Sequence, residues 1–178
     1  MMSTTDRTEI RLAGEGGQGM ILAGIILAEA AAIYDGKQAV QTQSYGPEAR
    51  GGASKSEVVI ATGTIDFPEV LHADILIALS QEAFDKYAAD VKSGGKIIVD
   101  SNSVAHPPSE GVIELPVTQL AKETTGRAIT ANVVALGALV ALTGIVSKEA
   151  ISQAIAARAP KGTLEINLAA LEAGFKAV

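Results

Sequence analysis

The segment Gly14–Gly19 constrains the fold more than any other part of the chain, because four of its six residues are glycines. Residues Glu9–Ala13 before it alternate in polarity like a β-strand, and Met20–Ala28 after it form an apolar run that suits a buried helix. A strand, a glycine loop and a helix in this order begin a βαβ unit. The spacing G-x-G-x-x-G predicts a sharp turn that lets backbone N–H groups approach an anion at the positive end of the helix.

Three interpretations of this glycine loop are open: packing without a ligand, dinucleotide binding, and contact with an anion or a partner chain. Dinucleotide binding also requires an acidic residue at the end of the second strand, where it binds the ribose hydroxyls. That strand ends in Gln43-Ser44-Tyr45, and Asp35 precedes the strand instead. The sequence therefore disfavours NAD binding and favours an anion or a partner. The candidate binding residues of this loop are Gly14, Gly16, Gly17, Gln18 and Gly19.

Composition excludes several classes of function. The chain has 178 residues, of which 48% are hydrophobic, so we expect residues 1–178 to form one domain with a sizeable core. A net charge of −6 and the absence of a basic stripe argue against a nucleic-acid surface. No uncharged apolar run reaches the ~18 residues of a membrane span, and residues 1–8 lack the apolar core of a signal peptide. We therefore expect a cytoplasmic protein.

The chain has no cysteine and two histidines, which limits the chemistry it can perform. Without thiolates it can neither ligate an iron–sulfur cluster in the usual way nor use a cysteine nucleophile. His72 and His106 are too few for a histidine-based metal site, and we interpret both as ordinary loop or surface residues. The sequence thus predicts no metal site and no catalytic residue in this chain.

Hydrophobic periodicity predicts alternating strands and helices. Strands are predicted at residues 9–13, 39–45, 54–62, 74–79, 96–100 and 112–115. Helices are predicted at residues 19–33, 81–91, 117–124, 130–143, 147–157 and 163–175, with Ser80, Ser147 and Thr163 as N-caps and Gly94-Gly95 as a stop. This order predicts a three-layer α/β/α, Rossmann-like fold with a mostly parallel sheet and a helical C-terminal region.

A second loop, Ser44–Gly52, combines an aromatic residue, a rigid Gly-Pro turn and an arginine between glycines. It follows the second strand, so in a parallel sheet it leaves from the same edge as the glycine loop, where open α/β sheets bind ligands. Arg50 can hold a phosphate or carboxylate with two hydrogen bonds, or pair with an acidic residue of a partner subunit. Ser44, Tyr45 and Arg50 are therefore added to the candidate binding residues.

These two loops, followed by Ser56-Glu57-Val58 and by Ala73–Ala83, resemble the gamma subunit of the 2-oxoacid:ferredoxin oxidoreductases. The resemblance covers nearly the whole chain in the same order, including Gly94-Gly95 and Asn132–Gly137. General similarity favours the 2-oxoglutarate branch over the pyruvate and branched-chain branches.

The resemblance implies a division of labour among subunits. Enzymes of this family decarboxylate a 2-oxoacid on thiamine diphosphate with magnesium, pass electrons through iron–sulfur clusters to ferredoxin, and release an acyl-CoA. The cofactors are expected in the alpha, beta and, where present, delta subunits. The present chain lacks cysteines and a Gly-Asp-Gly motif, so it is expected to be a non-redox component, inactive alone. Its expected roles are assembly, closure of the active site and a share of the coenzyme A site.

Overall fold

The computed structural model of the protein describes residues 6–44 and 53–178. Within these ranges the strands are β1 (Arg7–Glu15), β2 (Gln38–Ser44), β3 (Ala53–Ala61), β4 (Ala73–Ala78), β5 (Val91–Asp100) and β6 (Val112–Leu115). The α-helices there are α1 (Met20–Glu29), α2 (Gln81–Tyr87), α3 (Val117–Thr125), α4 (Ala131–Thr143), α5 (Lys148–Arg158) and α6 (Leu164–Lys176). A π-helical turn, Ala30–Tyr34, continues α1. The predicted alternation and the helical C-terminal region are confirmed.

The described strands form one mixed sheet in the order β2-β3-β1-β4-β5-β6. Strands β1, β4, β5 and β6 pair in parallel, whereas β3 pairs antiparallel with both β1 and β2. Five strands thus run one way and β3 alone runs the other, so the prediction of a mostly parallel sheet is confirmed with one exception. Only residues 45–52 separate β2 from β3, too few for the crossover of about a dozen residues that a parallel pair requires.

The two faces of the sheet are covered unequally. Along β4, Ile75 and Ile77 face the large core that α1 and α3 to α6 complete, because successive side chains of a strand point to opposite faces. Leu76 and Ala78 face a smaller core in which α2 is the helix. The three predicted layers are present, but the layer built on α2 is thin.

The Gly94-Gly95 pair was predicted to stop a helix, and this prediction is wrong. The helix α2 ends at Tyr87 and is followed by a single 3-10 turn, Ala88–Asp90, and both glycines lie inside β5. The pairing of β4 with β5 shifts register here, and Gly94 has a φ of 79°, a left-handed value that glycine adopts without strain. The glycines therefore form a bulge in a strand.

Two of the three predicted helix caps form hydrogen bonds of the expected kind. Ser80 Oγ accepts from the Ala83 amide at 3.2 Å, and Ser147 Oγ accepts from the Ala150 amide at 3.0 Å. Thr163 precedes α6 but does not cap it with its side chain, because its hydroxyl donates to the Pro160 carbonyl instead at 2.7 Å.

Candidate functional site

The glycine loop joins β1 to α1 at the carboxyl edge of the sheet. Gly14 and Glu15 still belong to β1, so the turn itself consists of residues 16–19. Gly17 and Gly19 have φ values of 91° and 74°, which side-chain-bearing residues rarely adopt, and this explains the glycines at these positions. Gly16 and Gly17 are exposed, which leaves their backbone accessible to a ligand or partner.

The Gln18 side chain stabilises the turn through two hydrogen bonds to the backbone. Its Oε1 accepts from the Glu15 amide at 2.7 Å, and its Nε2 donates to the Leu79 carbonyl at 3.3 Å, just beyond the end of β4. A Cβ at Gly14 would lie 2.4 Å from Gln18 Oε1, so Gly14 makes room for this side chain. These contacts give Gly14 and Gln18 a packing role, which was one of the open interpretations.

Asn132 fixes the other end of the turn and was missed as a site residue from the sequence. It lies in the first turn of α4, is buried, and its Nδ2 donates to the Gly19 carbonyl at 3.1 Å. A Cβ at Gly19 would lie 2.6 Å from the same Nδ2. The sequence contains a signal for this role, because Asn132 is the one polar residue among the first ten residues of α4.

Within residues 6–44 and 53–178, no side chain caps the N-terminus of α1. Its N-cap residue is Gly19, which has no side chain, and its first turn contains no acidic residue. The first amides of such a helix together carry a partial positive charge that attracts an anion. Within the described residues, these amides lie next to the exposed backbone of Gly16 and Gly17 at this edge.

The second candidate loop begins and ends at this same edge. Ser44 is exposed at the end of β2 and pairs with Lys55, while Glu15 pairs with Ala53 at the start of β3. Ser54 Oγ also donates to the Gly14 carbonyl at 3.4 Å. Tyr45 and Arg50 lie outside the described residues. Of the described residues on either side of them, Ala53 pairs with Glu15 of the glycine loop, and Ser44 lies one strand further from that loop.

Asp35 lies about 20 residues after the glycine loop, where a dinucleotide-binding motif places its acidic residue. In this structure its carboxylate makes packing contacts instead. Its Oδ2 accepts from the Ser147 amide at 2.7 Å and its Oδ1 from the Ser147 hydroxyl at 2.8 Å. The carboxylate therefore ties the end of the π-helical turn to the start of α5. This contact leaves the dinucleotide interpretation without its ribose-binding acid.

The histidines take part in no metal cluster within residues 6–44 and 53–178, where no group of three or more His, Asp or Glu side chains is suitably placed. His106 Nε2 lies 2.8 Å from Glu114 Oε1, and its ring lies 5.7 Å from that of Phe84. His72 is exposed. Within the same ranges no helix has the length and apolar character that a membrane-spanning helix needs.

A buried ionic network on the thin side of the sheet was also missed. Arg11 is 4% exposed, donates to Glu57 Oε2 at 3.0 Å and to the Val70 carbonyl at 3.0 Å, and lies over the Tyr87 ring at 5.2 Å. Lys55 forms an ion pair with the same glutamate at 3.0 Å. The charged residues of β1 alternate with apolar ones, which was the signal that they face the opposite side from the main core.

A network of two acids and a lysine lies at the opposite end of the same face. Lys92 Nζ contacts Glu9 at 3.1 Å and Asp74 at 3.1 Å. Desolvation of Lys92 lowers its pKa, but hydrogen bonds to Glu9 and Asp74 outweigh this and raise the pKa above its usual value. The lysine thus stays charged and links β1, β4 and β5, a structural role far from the glycine loop.

Comparison with known proteins gives consistent matches along nearly the whole chain. Residues 9–177 match the family described as pyruvate ferredoxin/flavodoxin oxidoreductase. The chain is 56% identical over 174 residues to the 2-oxoglutarate synthase subunit KorC of Methanocaldococcus jannaschii, with 96% of this chain and 93% of that protein covered.

Two solved structures share the fold. The gamma subunit of a keto/oxoacid ferredoxin oxidoreductase from Geobacter sulfurreducens PCA superposes with a TM-score of 0.86 at 56% identity, covering 95% of this chain and 96% of that one. The 2-oxoglutarate:ferredoxin oxidoreductase from Magnetococcus marinus, with 2-oxoglutarate, coenzyme A and succinyl-CoA bound, superposes with a TM-score of 0.82 at 27% identity. It covers 97% of this chain, which corresponds to 31% of that longer chain.

Proposed function

The chain belongs to the pyruvate ferredoxin/flavodoxin oxidoreductase family, and on this premise we propose that it is the gamma subunit of a 2-oxoglutarate:ferredoxin oxidoreductase. The observation that carries the proposal is the 56% identity to a 2-oxoglutarate synthase subunit over 96% of the chain. The proposed reaction joins 2-oxoglutarate and coenzyme A, with release of carbon dioxide and transfer of a pair of electrons to ferredoxin, to give succinyl-CoA.

The redox chemistry of this reaction is assigned to partner subunits of the alpha, beta and delta types. Thiamine diphosphate would supply the electron sink for decarboxylation, and iron–sulfur clusters would carry the electrons. This chain has no cysteine to ligate a cluster. Its own part is to assemble with these subunits in the cytoplasm as one functional domain over residues 1–178, a proposal supported by the single sheet and by the family match over residues 9–177.

We assign the open part of the carboxyl edge to coenzyme A. The uncapped N-terminus of α1 and the exposed backbone of Gly16 and Gly17 fit a phosphate group, which accepts hydrogen bonds and carries negative charge. Ser44 at the same edge, with Tyr45 and Arg50 from the adjoining loop, completes the proposed contact. Gly14, Gln18 and Gly19 serve this site by fixing the shape of the turn.

Reconstitution tests the proposed function. The chain is expressed with and without the thiamine- and cluster-bearing subunits of its own cell, and 2-oxoglutarate- and CoA-dependent reduction of ferredoxin is measured. We expect the full set to copurify and to be active, and the chain alone to be inactive because it lacks redox groups. Recovery of the chain alone from its native cell under gentle conditions, with no copurifying subunit, contradicts the proposal.

A further inference from the structure

The Gln18 side chain lies between the carboxyl ends of two neighbouring parallel strands. Strands β1 and β4 pair up to Ala13 and Ala78, and the Leu79 amide still donates to the Ala13 carbonyl at 3.0 Å. In a parallel ladder, the next hydrogen bond would join the Glu15 amide to the Leu79 carbonyl. Instead, Gln18 Oε1 accepts from the Glu15 amide at 2.7 Å, and Gln18 Nε2 donates to the Leu79 carbonyl at 3.3 Å. The side-chain amide thus takes the place of one backbone hydrogen bond.

The two strands are followed by helices on opposite faces of the sheet. The helix α1 that follows β1 packs in the large core, whereas the helix α2 that follows β4 packs in the smaller core on the other face. In open α/β sheets, such a change of face opens a crevice at the carboxyl ends of the strands, where ligands bind. The Gln18 amide occupies the base of this crevice. A Cβ at Gly14 would lie 2.4 Å from Gln18 Oε1, so the glycine leaves space for the amide.

The same residue fixes the exposed tip of the glycine turn. The Gln18 backbone amide donates to the Glu15 carbonyl at 3.2 Å, which closes a four-residue turn with Gly16 and Gly17 at its centre. Gly17 has a φ of 91°, a value typical of the third residue of a type II turn. Glu15 and Gln18 are thus joined twice, once through the backbone and once through the side chain. The contact of Gln18 with Leu79 then fixes the tip relative to β4.

We infer that Gln18 is a positioning residue for coenzyme A, because its amide separates the ends of β1 and β4 and so holds the backbone of Gly16 and Gly17 where it meets a phosphate group. This inference rests on the proposed function for the identity of the ligand. Without the side chain, the Glu15 amide and the Leu79 carbonyl would both lose a partner, which is unfavourable. A direct hydrogen bond between them would satisfy both groups and draw the tip of the turn toward β4.

Crystal structures of the wild-type chain and of Gln18→Ala test the separation of the strands. The wild-type chain should show the side-chain amide between the two strands. In Gln18→Ala, we expect the Glu15 amide nitrogen about 2.9 Å from the Leu79 carbonyl oxygen, with Gly16 and Gly17 moved toward β4. If Gly16 and Gly17 keep their wild-type positions in Gln18→Ala, the inference is overturned.

The assembled enzyme tests the effect on coenzyme A. We expect Gln18→Ala to raise the KM for coenzyme A at least about tenfold, because binding groups displaced by about 1 Å no longer align with the ligand. At saturating coenzyme A, kcat should stay near the wild-type value. A residue required only for stability would lower the yield of assembled enzyme and leave this KM unchanged.

Gln119→Ala is the matched control for Gln18→Ala. Gln119 is an exposed residue of α3, and its Nε2 donates to Glu123 Oε1 at 2.8 Å. Its substitution removes a side-chain amide of the same kind outside the glycine turn, so the KM for coenzyme A should not change.

The variant Gln18→Glu gives a pH readout that a purely structural role would not produce. The introduced carboxylate can accept from the Glu15 amide but cannot donate to the Leu79 carbonyl, whereas a protonated carboxyl group can do both. We expect the KM of this variant for coenzyme A, divided by the wild-type KM at the same pH, to fall as the pH is lowered toward the range in which carboxyl groups protonate. Glu15, the titratable residue of the turn itself, is common to both proteins. A ratio that does not change with pH contradicts the inference.

The possible failures can be told apart. If Arg50→Ala raises the KM for coenzyme A but both Gln18 variants leave it unchanged, Gln18 is not a positioning residue and the proposed function stands. If none of the three variants changes this KM, the assignment of coenzyme A to this chain fails, and the inference fails with it. If both Gln18 variants lose the fold, as checked by circular dichroism, or are not retained by the other subunits, the role of Gln18 is purely structural and the inference is overturned.

Discussion

At the scale of single residues, the glycine turn is shaped by side chains that come from distant parts of the sequence. Gln18 closes the turn by reaching the Leu79 carbonyl, and Asn132 fixes its end by donating to the Gly19 carbonyl. Gly14 and Gly19 leave space for these two side chains. The glycine motif is therefore explained in part by packing, and the anion contact that we propose is assigned to the backbone of Gly16 and Gly17, which stays exposed.

Arg50 gives the sharpest test of the proposed coenzyme A contact. In the assembled enzyme we expect Arg50→Ala to raise the KM for coenzyme A at least about tenfold, because a charge-assisted hydrogen bond to phosphate contributes about 1.5–3 kcal/mol. At saturating coenzyme A, kcat should stay near the wild-type value, since the residue is assigned to binding. The measurement is the dependence of ferredoxin reduction on coenzyme A concentration.

Lys122→Ala serves as the control for Arg50→Ala, because it removes a positive charge from an exposed position in α3, away from the glycine turn. An unchanged KM for coenzyme A in Arg50→Ala, with the complex intact, would leave this chain a purely architectural role.

At the scale of elements, α4 and α6 approach closely because each has a glycine at the point of contact. A Cβ at Gly174 would lie 2.1 Å from the Val134 carbonyl oxygen, and a Cβ at Gly137 would lie 2.3 Å from the Leu171 carbonyl oxygen. Both neighbours are backbone atoms, so neither can give way unless the helices separate. This contact anchors the C-terminal helix on the main core.

The substitution Gly174→Ala tests this close packing. We expect it to lower the free energy of unfolding by about 1–3 kcal/mol, because the added methyl overpacks the contact. Helix propensity alone predicts the opposite sign, since alanine is favoured over glycine by about 1 kcal/mol inside a helix. For a chain of this size, thermal unfolding should show a fall in Tm of about 2–4 °C for each kcal/mol lost.

The control for Gly174→Ala is Glu172→Ala on the exposed side of the same helix, which should change stability by no more than about 0.5 kcal/mol. A stabilised Gly174→Ala variant would show that α4 and α6 can separate without cost.

At the scale of the whole molecule, the sheet brings both candidate loops to one edge. The glycine turn follows β1, and Ser44 and Ala53 border the second loop beside it. The antiparallel strand β3 lies between β1 and β2 and makes this arrangement possible, because it starts at the edge where both of those strands end.

The fold as a whole also predicts that the isolated chain does not bind nicotinamide dinucleotides. Asp35 is held by Ser147, and β2 ends in Gln43 and Ser44 where an acid is required. Isothermal titration of the isolated chain with NAD⁺ and NADP⁺ should therefore give no binding heat above that of dilution. Saturable binding with a micromolar dissociation constant would restore the dinucleotide interpretation.

Much of the architecture could be predicted from the sequence because it depends on local patterns. The alternation of strands with helices, the Ser80 and Ser147 caps, and the turn at residues 16–19 follow from periodicity, capping and glycine spacing. The Gly94-Gly95 pair was misjudged because a glycine pair ends a helix or makes a bulge in a strand equally well. Only pairing with β4 distinguishes the two.

The sequence by itself determined the layered fold, the glycine turn and the lack of thiolate ligands, since each follows from neighbouring residues or from composition. The tertiary structure decided which side chains meet across long separations, such as Asn132 with Gly19, 113 residues apart. It also decided that Asp35 is occupied by Ser147 and that Ile33 faces outward. The physical reason is that periodicity fixes which face of an element is apolar, whereas packing of the whole chain fixes what each face contacts.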